Sequence, residues 1–184
     1  MPRSLPPLAL AIALSALTLL SPLAQAIPMK AFTISDLVER SDAVVLGRVG
    51  AHTAHFDKTR NRIYTTYTIT VAEPVFGAVR GAQISVRLMG GVLGERTMTI
   101  SDNAKLQEGE EIFVFLKADQ ADKKLFYISA MSQGKYTVLR DEGGARLVRG
   151  PATTEAGPGA NRLDEMAARV RKLHEQPAAT KEVR

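Results

Sequence analysis

Apolar and polar residues alternate with a period of two through much of this chain, which is the pattern of β-strands. Ala43–Val49 begins with four apolar residues in a row, so we predict a strand whose first half is buried on both faces. Ile63–Val71 alternates and is rich in β-branched and aromatic residues, which predicts a strand with one wet face. We expect Asp57–Asn61 to be the turn between them and Pro74 to end the second strand.

The same alternation continues in the second half of the chain. Ile84, Val86 and Leu88 predict a third strand, and Thr97–Ile100 a short fourth one. Ile112–Leu116 is apolar at every position, which is typical of a central strand. Further strands are expected at Leu125–Met131, Lys135–Leu139 and Arg146–Val148. Short strands separated by glycine-containing turns predict a mainly β fold, a small antiparallel barrel or sandwich.

Two segments have helical spacing instead. Ser35–Arg40 predicts one short helix, with Ser35 accepting from the amides of the first turn. Residues 161–176 predict an amphipathic helix that begins at an Asn161 cap. Its apolar stripe consists of Leu163, Met166, Ala167, Val170 and Leu173. This stripe either covers the barrel mouth or docks on a partner.

The N-terminus has the three parts of a cleavable export signal. Arg3 precedes the apolar run Leu8–Leu20, and small residues follow at Ala24 and Ala26, where signal peptidase requires them. The alternative is an uncleaved anchor, but the run of 13 residues rises only about 20 Å as a helix, against a hydrocarbon core of about 30 Å. We therefore expect export to the periplasm or the medium, with no stable membrane anchor after cleavage.

Cleavage after Ala26 leaves 158 residues, the length of one domain. We divide the chain into a signal peptide (1–26), a β-barrel domain (27–149), a linker (150–160), the helix (161–176) and a disordered tail (177–184). The chain has no cysteine, so we expect neither disulfides nor a lipid at the cleavage site. Cleavage lowers the formal net charge from +5 to +4, and the charges are spread along the chain. We favour a solvated surface over a site for nucleic acid or anionic lipid.

Three segments together resemble the netrin-like domain, the barrel of the oligosaccharide/oligonucleotide-binding (OB) type found in tissue inhibitors of metalloproteinases. They are Ser41–Val49, with an aspartate before an apolar strand, Tyr64–Gly77, a long alternating strand, and Leu106–Leu116, with a Leu-x-x-Gly turn before an apolar strand. The resemblance covers roughly Ser35 to Leu139 and implies an OB-like barrel. The chain is also similar to small exported bacterial proteins of unknown activity, which adds no chemistry.

The N-terminus departs from the family pattern. The resemblance implies a mechanism in which an N-terminal cysteine of the inhibitor chelates the zinc of the protease and disulfides hold the N-terminal segment. Here the exported chain would begin Ile27-Pro28-Met29, with no cysteine anywhere. We carry over the barrel and not the inhibitory activity.

Residues that could carry catalysis or bind a metal are few. The sequence has no cysteine nucleophile, no Gly-x-Ser-x-Gly elbow and no His-Glu-x-x-His helix. His52 and His55 are weak metal candidates, since residues three apart on a strand point to opposite faces and could share a metal only if the segment curls into a loop. Asp57 is the nearest third ligand. We favour exposed histidines on a loop, and we expect no cofactor and no catalytic residue.

Two groups of charged residues are candidate sites. Glu108, Glu110 and Glu111 could form an acid–base pair, but we expect a solvated turn because neighbouring side chains diverge on an extended chain. A basic set could form a polyanion face: Arg80, Arg87, Arg96 and Arg140. Nucleic-acid barrels stack bases on aromatic side chains, and this chain has 5% aromatic residues and no tryptophan. We therefore expect no nucleic-acid partner.

Two glycine-containing loops are the candidate binding sites. Met89, Gly90 and Gly91 form the first, and Met131, Ser132, Gln133 and Gly134 form the second. Each places a flexible methionine at a strand end beside permissive backbone, a surface suited to a protein partner or an extended peptide. The alternative is that these glycines form bends or bulges only.

The sequence thus predicts an exported, soluble, non-enzymatic binding domain whose partner is a protein or a cell-envelope component. A strand pattern without an assembled catalytic set is the basis for this interpretation. One alternative is a metal-binding or inhibitor-like module that acts on a secreted metalloprotease. Another is an enzyme of a type that the sequence motifs do not reveal.

Overall fold

The computed structural model describes residues 31–176 apart from 60, 78, 80, 81 and 150–161. Its helices are α1 (Ile34–Glu39) and α2 (Leu163–Glu175), with a 3-10 turn at Met131–Gly134. Its strands are β1 (Ala43–Phe56), β2 (Ile63–Phe76), β3 (Gln83–Met89), β4 (Gly91–Leu93), β5 (Arg96–Met98), β6 (Glu111–Ala118), β7 (Leu125–Ile128), β8 (Lys135–Asp141) and β9 (Gly144–Arg149). The predicted export signal, linker and tail lie outside the described residues.

Five strands close into a barrel. The hydrogen-bonded order is β1-β2-β3-β7-β6, and β6 pairs back with β1. The β8–β9 hairpin continues the sheet from β6, and β4 and β5 form a separate two-stranded ribbon. The mainly β, OB-like barrel with a short helix near each end is confirmed. One pair, β3 with β7, is parallel, so the barrel is mixed instead of wholly antiparallel.

The first half of β1 and the centre of β6 are buried on both faces, as their apolar runs predict. Alternate residues fill the barrel, among them Val45 and Val114, while Val44 and Phe113 point to an outer apolar cluster. The interior is completed by side chains from the other barrel strands: Ile69, Ile84, Val86, Leu88 and Phe126. The outer cluster exists because the two helices and the β8–β9 hairpin cover this wall of the barrel.

α2 packs its predicted apolar stripe on that outer wall. Met166, Ala167 and Val170 are buried in the outer cluster. The ring of His174 stacks on Phe76 of β2 with the centroids 4.1 Å apart. The helix therefore covers the side of the barrel. No helix in the described ranges is both long and apolar enough to cross a bilayer.

The helix caps differ from the prediction. α1 begins one residue earlier than expected, and its N-cap is Thr33 instead of Ser35. Thr33 and Asp36 form a reciprocal capping box, which satisfies two amides, one more than an N-cap side chain alone. At α2, Arg162 holds the N-cap position without a side-chain cap, and Asn161 lies outside the described residues.

Strand ends were the least accurate predictions. β1 runs on to Phe56, so the segment with the two histidines is a strand and not a loop. β2 passes through Pro74, which pairs with Val45 where the β1–β2 register shifts. An irregular ladder accommodates a residue without an amide hydrogen, so the proline does not end the strand. β7 ends before Ala130 and Met131, whose φ angles are 54° and 56°.

Candidate functional site

A cleft of about 520 Å³ opens between the segment that follows β5 and the start of β8. We call it the lysine cleft. Its lining combines apolar, amide and charged side chains, and Ser132 is the one residue of the two predicted loops among them. The lining residues are Ile100, Asp102, Asn103, Ala104, Lys105, Gln107, Glu110, Ser132, Lys135 and Thr137. An apolar cleft with a few convergent polar groups is the usual form of a ligand site.

A buried ion pair lies in this cleft. The ammonium of Lys135 donates to Oε1 of Glu110, and the two side chains are only 8% and 13% exposed. Lys135 also donates to the hydroxyl of Thr137 (2.8 Å), which itself donates to the same carboxylate oxygen (2.5 Å). The second oxygen of Glu110 accepts the backbone N–H of Gln107 at 3.1 Å. Both oxygens of the carboxylate are therefore engaged.

Strand geometry brings these groups together. Lys135 and Thr137 are two residues apart on β8, so their side chains share one face. The β8 residues lie opposite Val114 and Ile112 of β6, and Glu110 comes directly before β6. The prediction of a solvated acidic turn is wrong for Glu110, because pairing of β6 with β8 places its side chain against Lys135.

Glu111 also departs from the prediction of a solvated turn. Its carboxylate is 15% exposed and accepts from Nε (2.9 Å) and Nη2 (2.5 Å) of Arg140 on β8. The hydrogen bond from Arg140 holds the pKa of Glu111 below its ordinary value, although partial burial acts in the opposite direction. Adjacent glutamates thus bind different cations on the same neighbouring strand.

The Glu111–Arg140 pair predicts a pH-dependent contribution to stability. The pKa of Glu111 is lower in the folded state than in the unfolded state. The stabilisation is therefore present above the unfolded-state pKa of 4.5, and it is lost as the pH falls through the folded-state pKa. Arg140→Gln should cost about 0.5–1 kcal/mol at pH 7, since Arg140 is exposed, and close to nothing near pH 3. Urea unfolding at both pH values measures this. Arg169→Gln, on the exposed side of α2, is the control, and an equal loss at both pH values would contradict the assignment.

The rim of the lysine cleft carries three non-glycine residues in the left-handed region. Their φ angles are 58° at Asp102, 54° at Ala130 and 56° at Met131. The amide of Ser132 donates to the carbonyl of Asp102 at 2.9 Å, which ties the two strained segments together. Such conformations cost on the order of 1 kcal/mol each and persist where the surroundings enforce them. The side chain of Met131, directly before the lining residue Ser132, is 43% exposed.

The two predicted loops lie on either side of one segment. Met89, Gly90 and Gly91 line an open cleft of about 270 Å³, next to the lysine cleft. The clefts share Ile100, Asn103, Ala104 and Lys105. The side-chain amide of Asn103 donates to the carbonyl of Met89 at 2.7 Å. Ser132 therefore lines the lysine cleft, whereas Met89, Gly90 and Gly91 line the neighbouring cleft on the other side of the shared segment.

Backbone geometry accounts for the glycines in both loops. Gly90 and Gly91 have φ angles of +102° and +134°, and a Cβ on Gly91 would lie 2.1 Å from Oγ1 of Thr65. A Cβ on Gly134 would lie 1.9 Å from the carbonyl oxygen of Ser129. The alternative that these glycines serve the fold is thus supported. Gln133 has a structural contact too, since its side-chain oxygen accepts the amide of Phe32 at 2.8 Å.

The two histidines point to opposite faces of β1. His52 stacks on Tyr67 (5.2 Å) and its Nδ1 lies 2.7 Å from Glu108, whereas His55 stacks on Tyr64 (6.2 Å). They therefore do not share a metal site with each other. Within the described ranges, no three histidine or acidic side chains converge as metal ligands do. Burial, and then the charge of Glu108, raise the pKa of Tyr67.

The basic set does not form one face. Arg140 is bound by Glu111, and Arg80 lies outside the described residues. Arg96 covers the ring of Phe56 at 5.6 Å, and Arg87 lies on the outer face of β3 near Thr66.

Sequence reasoning did not select Lys135 or Thr137 as site residues, and it considered Glu110 only as part of an acidic cluster that it interpreted as a solvated turn. Alternation along β8 places Lys135 and Thr137 on one face, and polar residues in that pattern are typical of a solvent-exposed strand face. No sequence rule pairs residues that lie 25 positions apart on separate strands. The lysine cleft is visible only in the tertiary structure. No protein-family model matches this chain, and no curated protein matches its sequence.

Proposed function

We propose that this protein is an exported, non-enzymatic binding domain and that it holds an extended segment of a cell-envelope protein in the lysine cleft. The observation that carries the proposal is the combination of apolar surface and a buried ion pair in one cleft, with the exposed Met131 directly before the lining residue Ser132. Methionine adapts to different partners, and fixed polar groups supply direction.

The hydrogen bonding in the cleft favours binding over catalysis. Oε1 of Glu110 already accepts two hydrogen bonds and Oε2 accepts the backbone N–H of Gln107, so three of the four lone pairs of the carboxylate are in use and little of it is left for a proton from a substrate. The ammonium of Lys135 is divided between Glu110 and Thr137. These contacts stabilise the cleft and leave the groups at its edge, such as Ser132 and Lys105, to meet a ligand.

An extended peptide fits the chemistry of the cleft wall. Ile100 and Ala104 offer apolar contact, while Asn103 and Ser132 carry groups that both donate and accept hydrogen bonds. A peptide backbone alternates donors and acceptors in the same way, and its side chains can rest on Met131. The sequence suggests a protein or a cell-envelope component as the partner. For this cleft we propose the narrower class, an extended segment of a protein.

The netrin-like relationship and export are further parts of the proposal. Two of the resembling segments, Ser41–Val49 and Leu106–Leu116, contain strands that pair side by side as β1 and β6, which supports the relationship. Export rests on the N-terminal pattern that ends at Ala24 and Ala26. The inhibitor-like alternative depends on residues 27–29, outside the described ranges, and no described contact favours it.

Photo-crosslinking in living cells tests the binding site. With a benzophenone amino acid at Met131, we expect one envelope protein to be captured through a single short segment, identified by mass spectrometry. That segment, as a synthetic peptide, should then bind the purified mature protein, and Ser132→Arg, which fills the cleft, should weaken binding at least about tenfold, a loss of 1.4 kcal/mol.

Leu139 provides the matched control for the crosslinking. It is 48% exposed, close to the 43% of Met131, and it lies on β8 two residues beyond Thr137, outside the cleft lining. The same probe at Leu139 should not capture that partner. The proposal is wrong if both positions give the same adducts, if Met131 gives none, or if Ser132→Arg binds the peptide as well as the unaltered protein.

A further inference from the structure

A short segment between β5 and β6 has the burial pattern of a β-strand but pairs with no strand in the described part of the chain. Ala104 and Leu106 are 6% and 8% exposed, whereas Lys105 between them is exposed. Such alternation is typical of an extended chain. We call these three residues the edge segment. It forms part of the wall of the lysine cleft, because Ala104 and Lys105 line the cleft together with the flanking Asn103 and Gln107.

The backbone groups of the edge segment are unpaired. Their N–H and C=O groups form no hydrogen bond with any residue that the structure describes. Ala104 and Leu106 are nevertheless buried, and an unpaired backbone group away from water costs free energy comparable to a lost hydrogen bond. A row of free donors and acceptors on an extended chain is a template for one more β-strand.

Both ends of the edge segment are fixed by the protein. Before it, the side-chain amide of Asn103 donates to the carbonyl of Met89 at 2.7 Å. After it, the backbone N–H of Gln107 donates to Oε2 of Glu110 at 3.1 Å, and the N–H of Glu110 donates to the carbonyl of Gln107 at 3.1 Å. A strand added here would meet a preformed edge, so the protein would lose little conformational entropy on binding.

The direction of the free groups follows from Asp102. Its carbonyl accepts the N–H of Ser132, so it points to the side of the lysine cleft that Ser132 lines. In an extended chain the backbone groups of alternate residues point to the same side. The N–H and C=O groups of Ala104 and Leu106 should therefore point to the Ser132 side, and those of Lys105 away from it. The cleft is thus offered a donor and an acceptor at a repeat of about 6.6 Å.

We propose that the segment held in the lysine cleft binds by β-strand addition, with its backbone paired to Ala104 and Leu106. This inference rests on the proposed function and gives the ligand a chemical class. The class is a protein segment with apolar side chains at every second position, to contact Ile100 in the cleft, and with no proline at the pairing positions. In strand addition the backbone hydrogen bonds supply affinity, and the contacts of alternate side chains supply selectivity.

The other strand edges in the described ranges are less suited to such a ligand. The outer edge of β9 already forms a bridge between Arg146 and Arg162. The β4–β5 ribbon has only three residues in each strand, and Glu95 and Arg96 lie at its turn. Short edge strands and charged residues are the usual means by which proteins prevent pairing with another chain. Neither edge combines buried, unpaired backbone groups with a cleft beside them.

Peptide selection followed by an N-methyl scan tests the proposal. The probe is a phage-displayed library of random decapeptides, selected on the purified protein and depleted on the Ser132→Arg variant, whose lysine cleft is filled. The best peptide is synthesised with one backbone N-methyl group at each position in turn, and isothermal titration calorimetry gives the affinities. Strand pairing uses every second amide of the ligand. N-methylation should therefore weaken binding about tenfold or more at alternate positions of the paired stretch, and less than about threefold at the positions between them.

Hydrogen exchange of the protein's own amides, measured by NMR, gives the matching observation on the other strand. When the selected peptide is added, the amides of Ala104 and Leu106 should exchange at least about tenfold more slowly. The amide of Lys105, expected on the opposite side of the chain, is the internal control and should not change. Arg169→Gln, on the exposed side of α2, should bind the peptide as well as the unaltered protein does.

The outcomes separate this inference from the proposed function. A peptide that Ser132→Arg does not bind, but whose N-methyl scan lacks a period of two or which leaves Ala104 and Leu106 unprotected, overturns strand addition alone. If no peptide is enriched, the proposed function fails together with it. Slow exchange of these two amides before any peptide is added would show that the edge is already occupied, by a second copy if the protection rises with protein concentration, and would also overturn the inference.

Discussion

Replacement of Lys135 by methionine should lower the free energy of unfolding by about 3–5 kcal/mol. Methionine fills a similar volume, so the loss is mainly electrostatic. The carboxylate of Glu110, 13% exposed, would keep Thr137 and the Gln107 amide but would lose its cation. An unpaired charge in such a site costs more than the pair itself contributes. Urea unfolding at pH 7 measures the change as a shift in midpoint.

A double-mutant cycle separates the ion pair from the packing. Lys135→Met with Glu110→Gln removes both charges and keeps a carbonyl oxygen for Thr137, so the pair should cost clearly less than the sum of the single changes. Lys117→Met is the matched control. Its ammonium meets Asp42 at the surface (3.4 Å), with side chains 59% and 44% exposed, and such pairs contribute about 0–1 kcal/mol. A loss at Lys135 no larger than at Lys117 would show that the buried pair is not coupled.

A chain that stops after Arg149 should melt about 10–20 °C lower than the chain that includes α2, or should fail to unfold cooperatively. It loses the buried side chains of Met166 and Val170, each contributing about 1.5–3 kcal/mol. It also uncovers the outer cluster around Phe113, which makes the estimate a lower bound. Differential scanning calorimetry provides the melting temperatures.

Neighbouring alanines on α2 provide an internal control for this second prediction. Ala167 is 7% exposed and points into the outer cluster, whereas Ala168 is exposed. Ala167→Asp should destabilise by several kcal/mol because it buries an unpaired charge. Ala168→Asp should cost only about 0.7 kcal/mol, the difference in helix propensity. Equal effects, or a truncated chain with the melting temperature of the full one, would mean that α2 does not cover the barrel.

The strand pattern was predictable because side-chain period is a local property. The continuous apolar run at Ile112–Leu116 needs partners on both faces, and the structure supplies the barrel interior on one side and the helices on the other. The stripe of α2 was predictable for the same reason. The end of β2 was not, because Pro74 is accepted only where the opposite strand is irregular, and that irregularity lies in β1.

The candidate sites show the same division between local patterns, which a sequence contains, and contacts between distant residues, which it does not. Ser132 was a predicted site residue because it lies in a glycine-containing loop directly after a methionine at a strand end, and it does line the lysine cleft. Gly134 and Gly91 stood out in the sequence as well, yet they are needed by the backbone: a Cβ at either position would overlap Ser129 or Thr65. A glycine in a sequence shows that space or conformation is restricted, and only its neighbours show why.

By itself, the sequence determined the mainly β class, the two-sided burial of β1 and β6 and the apolar face of α2, because each depends on spacing within one segment. Only the tertiary structure decided barrel closure through β1 and β6, the parallel β3–β7 pair and the meeting of Glu110 with Lys135. These features join residues that are distant along the chain, and their free energy depends on contacts that no local pattern contains.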